Sequence, residues 1–484
     1  MQMKDILQEE LQINIDRIKM SFNDTADLVI REIRFGLKKE MTLKVVYLDG
    51  IIDTTLLQES VILPLIETLN INKTQSKELI NHVSNTILTT PNVKTTKSYQ
   101  ELLGAIIQGN AILLIDGFHE VIIVGVTEWA ERSLEEPLGE RSVQGIAFGF
   151  SEKARTNINI LRGIIKTEQF CVQKMTFGTK AKTDVFLLFI NDIVDKGILN
   201  EVRNRIEKLD VKYILEARIV QEIVEGNPKS IFPLTLSSER PDTAASALFE
   251  GRVIVMVDGT PQAIIAPSLF AELFQAPDEY YASYGRFFMR LIRFFAFLTA
   301  MLLSPIYIYL DKHGKEHIPK KLYEALLTKD EILPTFWEVV ILNLLFALFF
   351  DASFRVSKSA ILLISILGAI LLGETAVSAK LIHPVSLLVV GFAFVSEAVL
   401  ANKGLGGAIT ILRACFILIG YFLGSNGMFI GVTLLIMYMI SLKSIGVPYL
   451  SPFIPLNFKE LKDTLYRGNL KTLTNSKHSY PDDN

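Results

Sequence analysis

One apolar stretch, Ser359–Ala379, constrains this chain more than any other part of the sequence. Its only charged residue is Glu374, and Lys358 and Lys380 bound it on either side. As an α-helix, its 21 residues would be about 31 Å long, close to the hydrocarbon thickness of a bilayer. The stretch therefore predicts a membrane-spanning helix and, with it, an integral membrane protein.

This predicted helix has two faces of different character. At 100° per residue, small residues form one stripe, and Glu374 and Ser378 lie roughly opposite. The stripe comprises Ser365, Gly368, Ala369, Gly373, Ala376 and Ala379. Small residues let another backbone approach closely, and an ionised carboxylate against lipid is costly, so Glu374 is expected to face protein or a water-filled pore. The alternative is an interfacial Glu374 that pairs with Lys380, about 9 Å along the axis. The candidate pore or bundle residues are Glu374, Ser378, Gly373, Gly368 and Ser365.

Apolar residues are concentrated in the C-terminal part of the chain. About 285 N-terminal residues have the composition of a soluble protein, whereas the sequence from Phe294 to Leu442 is mostly apolar. The predicted spans are 294–310, 333–353, 359–379, 384–400, 408–424 and 428–442. Six crossings place both chain ends in the cytoplasm, in keeping with a modest Lys and Arg bias, and five crossings are the alternative. The charged N-terminus lacks the apolar segment of a signal peptide, so the soluble part is expected to stay in the cytosol.

Ionisable residues occur inside or at the edge of these spans. They are Glu338, Asp351, Glu374, Glu397 and Arg413. Charged residues in a membrane usually pair with one another or serve a function. Glu397 and Arg413, on neighbouring predicted helices, are expected to form an intramembrane ion pair. The others could stabilise the bundle, line a conduction path or dock another membrane protein.

The soluble part contains a duplication. A shift of 142 residues superimposes three segments without a gap. The segments are 35–36 on 177–178, 45–53 on 187–195, and 109–117 on 251–259. In each copy we predict two strands, helices, and a hairpin that turns at Asp116-Gly117 or Asp258-Gly259. The expected fold class is an α+β tandem-duplicated N-terminal soluble domain followed by an α-helical transmembrane bundle.

We predict that the chain consists of six parts. They are an N-terminal tail (1–21), a first α+β subdomain (22–131), a connector (132–166), a second subdomain (167–283), the transmembrane domain (284–443) and a C-terminal cytoplasmic tail (444–484).

Several functional classes find little support in the sequence. A net charge of −3 without basic clusters argues against nucleic-acid binding. His313–His317 matches a zinc-protease motif only in residue order, since a glycine lies inside it and a proline follows, and Gly145–Gly149 lacks the lysine of a phosphate loop. Cys171 and Cys415 lie in different parts of the chain and are not expected to pair. No catalytic residue, cofactor or metal is predicted, and the chain is not expected to be an enzyme.

The connector and the start of a later helix carry conspicuous mixed-charge motifs. We interpret them as a candidate subunit-contact surface, because charge is dense on an irregular segment. The residues are Glu136, Pro137, Gly149, Phe150, Glu152, Asn157, Arg162, Arg240, Pro241 and Asp242. The alternatives are a charged connector with glycine turns and, for Asp242 or Thr243, a helix cap.

Several multi-residue motifs follow one another in a characteristic order. They are Glu136-Pro137, Gly149-Phe150-Ser151-Glu152, Asn157, Leu161-Arg162, Ser238-Glu239-Arg240-Pro241-Asp242, Asp258-Gly259-Thr260-Pro261, Asp278-Glu279-Tyr280-Tyr281, Gly373-Glu374 and Gly446-Val447-Pro448-Tyr449. From about Phe22 to Arg467, this order resembles the A subunits of GerA-type spore germination receptors. Near the second span the chain departs from the family pattern, with Ala347 and Ser357 in place of an acid and a proline.

The resemblance implies a membrane subunit in the inner membrane of bacterial endospores. Its expected partners are a transporter-like B subunit, a lipoprotein C subunit, further copies of itself and membrane lipid. It implies oligomerisation and ion release when the nutrient receptor is triggered; assigning pore residues to the third span is our own inference. The alternatives are a scaffold that anchors partner subunits and a secondary transporter, for which an inverted repeat would be expected.

Overall fold

The computed structural model describes two sheet-containing subdomains followed by a helical bundle. The described residues are 5–35, 41–67, 79–128, 148–227, 229–276, 288–314, 319, 331–355, 368, 375–400, 402, 404–458, 461 and 464. The predicted fold class is confirmed for these residues.

The first subdomain is a five-stranded antiparallel sheet in the order β1-β2-β4-β5-β3. Its strands are β1 (Leu28–Phe35), β2 (Met41–Leu48), β3 (Val93–Thr96), β4 (Asn110–Ile115) and β5 (Val121–Gly125). Its helices are α1 (Leu11–Ser21), α2 (Thr54–Leu57), α3 (Leu63–Glu67), α4 (Leu79–His82) and α5 (Tyr99–Ile107), with π-helical turns at Gln58–Ile62 and Val83–Ile87. Side chains from the sheet and these helices share one apolar core.

The second subdomain repeats this topology as β6-β7-β9-β10-β8. Its strands are β6 (Phe170–Phe177), β7 (Thr183–Ile190), β8 (Leu236–Ser238), β9 (Val253–Val257) and β10 (Ala263–Ala266). Its helices are α6 (Ala154–Ile164), α7 (Lys196–Glu207), α8 (Ala217–Glu225) and α9 (Pro241–Phe249), and a 3-10 helix follows at Phe270–Phe274. Both Asp-Gly hairpins form where predicted, with φ of 86° at Gly117 and 92° at Gly259.

The repeat begins earlier than the sequence comparison indicated. Helix α1, which lies in the predicted tail, packs Leu11, Ile15 and Ile18 into the first core. Helix α6, which lies in the predicted connector, has the corresponding place before β6 and packs into a core of the second subdomain. The tail prediction is therefore wrong for α1, because its apolar side chains are buried in the core of the first subdomain.

The C-terminal half is a bundle of apolar helices. They are α10 (Phe288–His313), α11 (Thr335–Arg355), α12 (Pro384–Ala398) and α13 (Gly404–Ser441), and the short strands β11 (Lys443–Ser444) and β12 (Val447–Pro448) follow. Among the described residues, Met289–His313, Thr335–Ala352 and Gly404–Ser441 are long and apolar enough to cross a membrane, and Pro384–Ala398 is a shorter apolar helix. Helix α13 is two helices, because Gly424 breaks it with φ 62° and ψ −152°.

The described helices run between two ends of the bundle. At the domain end, Phe294 of α10 packs on Phe274, and Gly404 of α13 lies beside Pro233. At the far end, Thr335 donates to Asp311, and the Ile332 amide donates to the Lys380 carbonyl. Helices α11 and α12 run parallel, and both approach the domain end with their C-termini. The described chain therefore leaves α11 at the domain end, whereas Thr375 lies at the far end.

The two halves meet in an aromatic joint, which we define as Phe232, Phe270, Phe274, Phe297 and Tyr449. These rings form one buried cluster, with centroids of neighbouring rings 5.1 to 6.1 Å apart. After the last helix the chain turns back onto the second subdomain, where the Ser444 hydroxyl accepts from the Ser268 amide (3.0 Å) and donates to the Leu234 carbonyl (2.5 Å). The soluble part is thus packed onto the bundle and not merely tethered to it.

Candidate functional site

A buried ion pair lies inside the helical bundle. Nη2 of Arg413 donates to Oε2 of Glu397, and the two side chains are 3% and 5% exposed. Nε of Arg413 donates to the Ala300 carbonyl at 2.7 Å, and its guanidinium carbon lies 4.3 Å from the centre of the Phe394 ring. The structure brings together the two residues that the sequence pairs. The arginine joins α10, α12 and α13 through charge and hydrogen bonds in an apolar setting.

A second polar cluster lies nearer the far end of the bundle. Glu338 is fully buried, and its Oε2 accepts a hydrogen bond of 2.5 Å from the Ser386 hydroxyl. That hydroxyl is 3.2 Å from the Tyr307 hydroxyl, and Thr335 donates to Asp311 close by. The contacts of Tyr307 and Ser386 were not predicted, although a serine in an apolar span is itself a signal of interhelical hydrogen bonding.

Most of the predicted pore stretch lies outside the described residues, including Glu374, Gly373 and Ser365. Gly368 is described and buried, and a Cβ atom added to it would lie 3.4 Å from the Phe349 ring of α11. Ala376 is half-buried against the bundle, whereas Ser378 is exposed. Of the described members of the small-residue stripe, Gly368 and Ala376 therefore pack inward, whereas Ala379 at the end of the stretch is exposed, as is Ser378 of the polar face.

The motif before β6 is used inside the second subdomain. Oδ1 of Asn157 accepts from the Ser151 amide at 2.8 Å, and its Nδ2 donates to the Ser151 carbonyl at 2.6 Å. The Glu152 carbonyl accepts from the Gly259 amide, and Phe150 is buried beside Gly149. Together these contacts hold the start of α6 against the β9-β10 hairpin.

Arg162 connects the two subdomains. Its Nε and Nη2 donate to the two carboxylate oxygens of Asp27 at 2.8 and 2.9 Å, and the arginine is 3% exposed. Nη2 also lies within hydrogen-bond distance of the Thr25 hydroxyl, which in turn accepts from the Val172 amide. A bidentate pair of this kind fixes both distance and angle, so it sets the orientation of one subdomain on the other.

Arg240 is almost fully buried and pairs with a neighbour along the chain. Its Nε and Nη2 donate to Asp242 at 3.0 and 2.6 Å. Helix α9 begins at Pro241 with Arg240 in the N-cap position and without a side-chain cap there. Asp242 is not the N-cap residue but lies within the first turn, where its Oδ1 accepts from the Thr243 amide at 2.9 Å and its charge suits the helix dipole.

Comparison with known proteins identifies the family. The family model described as Bacillus/Clostridium GerA spore germination protein matches residues 16–479. The chain belongs to the GerA family. Spore germination protein KA of Bacillus subtilis (strain 168) is 30% identical over 465 residues, which cover 96% of this chain and 85% of that protein. The uncharacterized membrane protein YfkQ of the same organism is 28% identical over 473 residues, covering 97% and 91%.

A solved structure is also similar to this GerA family member. It is the N-terminal domain of the A subunit of the Bacillus megaterium spore germinant receptor GerK3, with 30% identity and a TM-score of 0.43. The likeness covers 55% of this chain and 97% of that one.

Most of the described motif residues of this GerA protein are buried within the chain, whereas Glu152 is exposed. Asn157, Arg162 and Arg240 are at most 3% exposed, and Phe150 is 7% exposed. Buried side chains do not reach a partner, so we assign them a role in holding the subdomains together. Glu136 and Pro137, from the same predicted contact surface, lie outside the described residues.

Proposed function

We propose that the chain is the membrane-embedded A subunit of a germinant receptor, and that copies of it assemble around an ion-release pathway in the spore inner membrane. Membership of the GerA family supports a role in germination. The observation that carries the finer proposal is the orientation of the residues around Ala376. Ala376 packs against the bundle, whereas Ser378 is exposed on its outer surface.

This orientation has a consequence for the acid of the third span. In a helix, Glu374 precedes Ser378 by four residues, so both belong to one face, and Gly368 and Ala376 belong to another. That face would point away from the bundle of its own subunit. Because acids in a membrane rarely face lipid, we infer that Glu374 faces another copy of the chain or a water-filled pore between copies.

The buried polar groups of the bundle favour a structural role that is separate from conduction. The Arg413–Glu397 pair and the Glu338 cluster are enclosed within one subunit. We infer that they hold the helices in place and leave conduction to the outward face of 359–379. The soluble subdomains would lie in the cytoplasm, where they could contact the B and C subunits of the receptor.

Ion release from spores tests this function. The variants Glu374→Gln and Gly373→Leu, made in spores whose wild-type chain supports nutrient-triggered germination, should each lower the rate of ion release at least tenfold. Immunoblots would check that the amount of protein is unchanged. Glu222→Gln, which removes an exposed carboxylate from the soluble part, is the matched control and should release ions normally.

Two outcomes would favour other functions. Normal ion release in both variants would favour a scaffold that anchors partner subunits. A chain that is monomeric in detergent, both alone and in the receptor complex, would contradict a pathway formed between copies. A transporter would instead transport solute as a single chain in liposomes.

A further inference from the structure

A polar cleft lies at the boundary between the second subdomain and the bundle. Its volume is about 450 Å³, and residues from both halves of the chain line it. Helix α8 contributes one wall, and β8 and the segment before it contribute another. Asn402, which follows α12, and Gly404, the first residue of α13, close the side of the bundle. Nothing in the function proposed above uses this cleft.

The buried carboxylate of Glu225 distinguishes the cleft from an ordinary surface depression. Glu225 is 7% exposed. Its Oε1 accepts from the Thr235 hydroxyl at 2.9 Å and from Nε2 of the Gln221 side chain at 3.4 Å. Both donors are neutral. Arg218 also lines the cleft. Its Nη2 is 3.8 Å from Oε2 of Glu225, at the limit of an ion pair, and its Nε pairs with Glu222 at 3.3 Å.

This arrangement favours a positively charged ligand. A carboxylate removed from water is stabilised by a closely bound cation. The described contacts of the Glu225 carboxylate supply hydrogen bonds but only a distant and shared positive charge, while Arg205 donates to the Glu225 backbone carbonyl at 3.1 Å. Glu239 adds a second carboxylate to the lining. Phe232 and Ile231 provide an apolar wall, and Gln262 and Asn402 provide amide oxygens.

We propose that this cleft binds a small organic amine whose ammonium group lies against Glu225. The volume exceeds what a bare inorganic cation fills, and the apolar wall suits a short carbon chain. Because Asn402 and Gly404 belong to the bundle and Glu225 to the soluble part, a bound amine would contact both halves. Binding at this site requires only one chain and does not depend on ion release through an oligomer.

Three probes of similar carbon-chain length test the proposal on the full-length protein in detergent micelles. They are 1,5-diaminopentane, a dication; 6-aminohexanoate, a zwitterion; and hexanoate, an anion. Isothermal titration calorimetry should detect at least one of the two amines and no binding of hexanoate. Preference between the amines would distinguish a polyamine-like ligand from an amino-acid-like one.

Two variants locate the site. Glu225→Gln keeps the shape and the neutral hydrogen bonds and should weaken amine binding at least tenfold. Glu32→Gln, which alters an exposed carboxylate paired with Arg34 on β1, should change the dissociation constant less than twofold. Hydrogen exchange of the wild-type protein, which does not depend on any variant folding, should show amine-induced protection in α8 and around residue 404.

Three results would overturn the proposal. One is the absence of amine binding to the wild-type chain. Another is equal affinity in wild type and Glu225→Gln, and the third is hexanoate binding as tight as that of the amines. Protection from exchange confined to other regions would also place the amine elsewhere.

Discussion

At the scale of single residues, the environment decides what each charged side chain does. Arg413 has four contacts inside the bundle: the Glu397 carboxylate, the Ala300 carbonyl, the Asn343 side-chain oxygen and the face of Phe394. Arg218 lies on the surface of the soluble part, where its pairing with Glu222 is solvated. Cys171 shows the same dependence, because burial raises the pKa of its thiol to about 11 and keeps it protonated at neutral pH.

Breaking the buried pair should therefore cost far more than breaking the exposed one. Arg413→Met or Glu397→Gln alone leaves the charged partner buried without its counter-charge. Each should lower the free energy of unfolding by about 3–5 kcal/mol. The double variant Arg413→Met/Glu397→Gln should cost less than the sum of its two single variants, because no unpaired charge remains. Denaturant titration in detergent micelles measures these differences.

The exposed pair serves as the control for this cycle. Arg218→Met and Glu222→Gln should each change the free energy of unfolding by about 0.5 kcal/mol or less. A loss of similar size at both sites would show that the bundle does not depend on the buried pair.

At the scale of elements, the same hydrogen-bond arrangement occurs at the start of both repeats. In copy one, Asn14 accepts from the Gln8 amide at 3.0 Å and donates to its carbonyl at 2.7 Å, as Asn157 does with Ser151 in copy two. The aspartate of each hairpin accepts a hydrogen bond from the first backbone amide of the helix that begins its copy. Asp116 accepts from Leu11 of α1, and Asp258 accepts from Ala154 of α6. Thus the asparagine of the resemblance motif has a structural counterpart 143 residues earlier.

This equivalence predicts matched effects in the two copies. Asn157→Ala removes both hydrogen bonds to Ser151 and should destabilise the start of α6 by about 1–3 kcal/mol. Hydrogen exchange should become faster at the first turn of α6 in Asn157→Ala, and at the first turn of α1 in Asn14→Ala.

The exposed Asn200 on α7 provides the control. Asn200→Ala should leave exchange in both helices unchanged. Unchanged protection of α1 in Asn14→Ala would show that the two asparagines are not equivalent, whatever their geometry.

At the scale of the whole molecule, the aromatic joint links the soluble part to the bundle. Tyr449 is fully buried between Phe232 and Phe270, and the Phe270 amide donates to its carbonyl. Within the described residues its hydroxyl has no recorded hydrogen-bond partner, and burial raises the pKa of that hydroxyl well above its usual value. The ring therefore stabilises the joint by packing.

Two substitutions at this position separate packing from hydrogen bonding. Tyr449→Phe should change the free energy of unfolding by less than about 1 kcal/mol, because the lost hydroxyl was not satisfied. Tyr449→Ala should cost about 3–5 kcal/mol through the cavity it leaves. Thermal unfolding, followed with one spectroscopic label in the soluble part and one in the bundle, should show a single transition in wild type and two in Tyr449→Ala. Coincident transitions in Tyr449→Ala would mean that the joint does not couple the halves.

Features encoded locally were predictable from the sequence. The three segments related by a 142-residue shift predicted two copies of one topology, and the Asp-Gly turns predicted their hairpins, because strand alternation and turn chemistry act over a few residues. The Arg413–Glu397 contact was expected because charged residues in neighbouring apolar spans have few other partners. Helix α1 was missed because it lies beyond the aligned segments, and its apolar residues make sense only against the sheet that they cover.

The sequence by itself determined the order of the parts: two related α+β subdomains, then long apolar helices with a few charges, in an arrangement similar to the GerA family. Only the tertiary structure decided which polar residues are enclosed within one subunit and which face outward. It placed Asn157, Arg162 and Arg240 inside the chain, left Ser378 exposed, and assembled a cleft from α8 and the turn between α12 and α13. The reason is physical: a residue's type sets the cost of its burial, but the neighbours that meet this cost come from segments far apart in the chain.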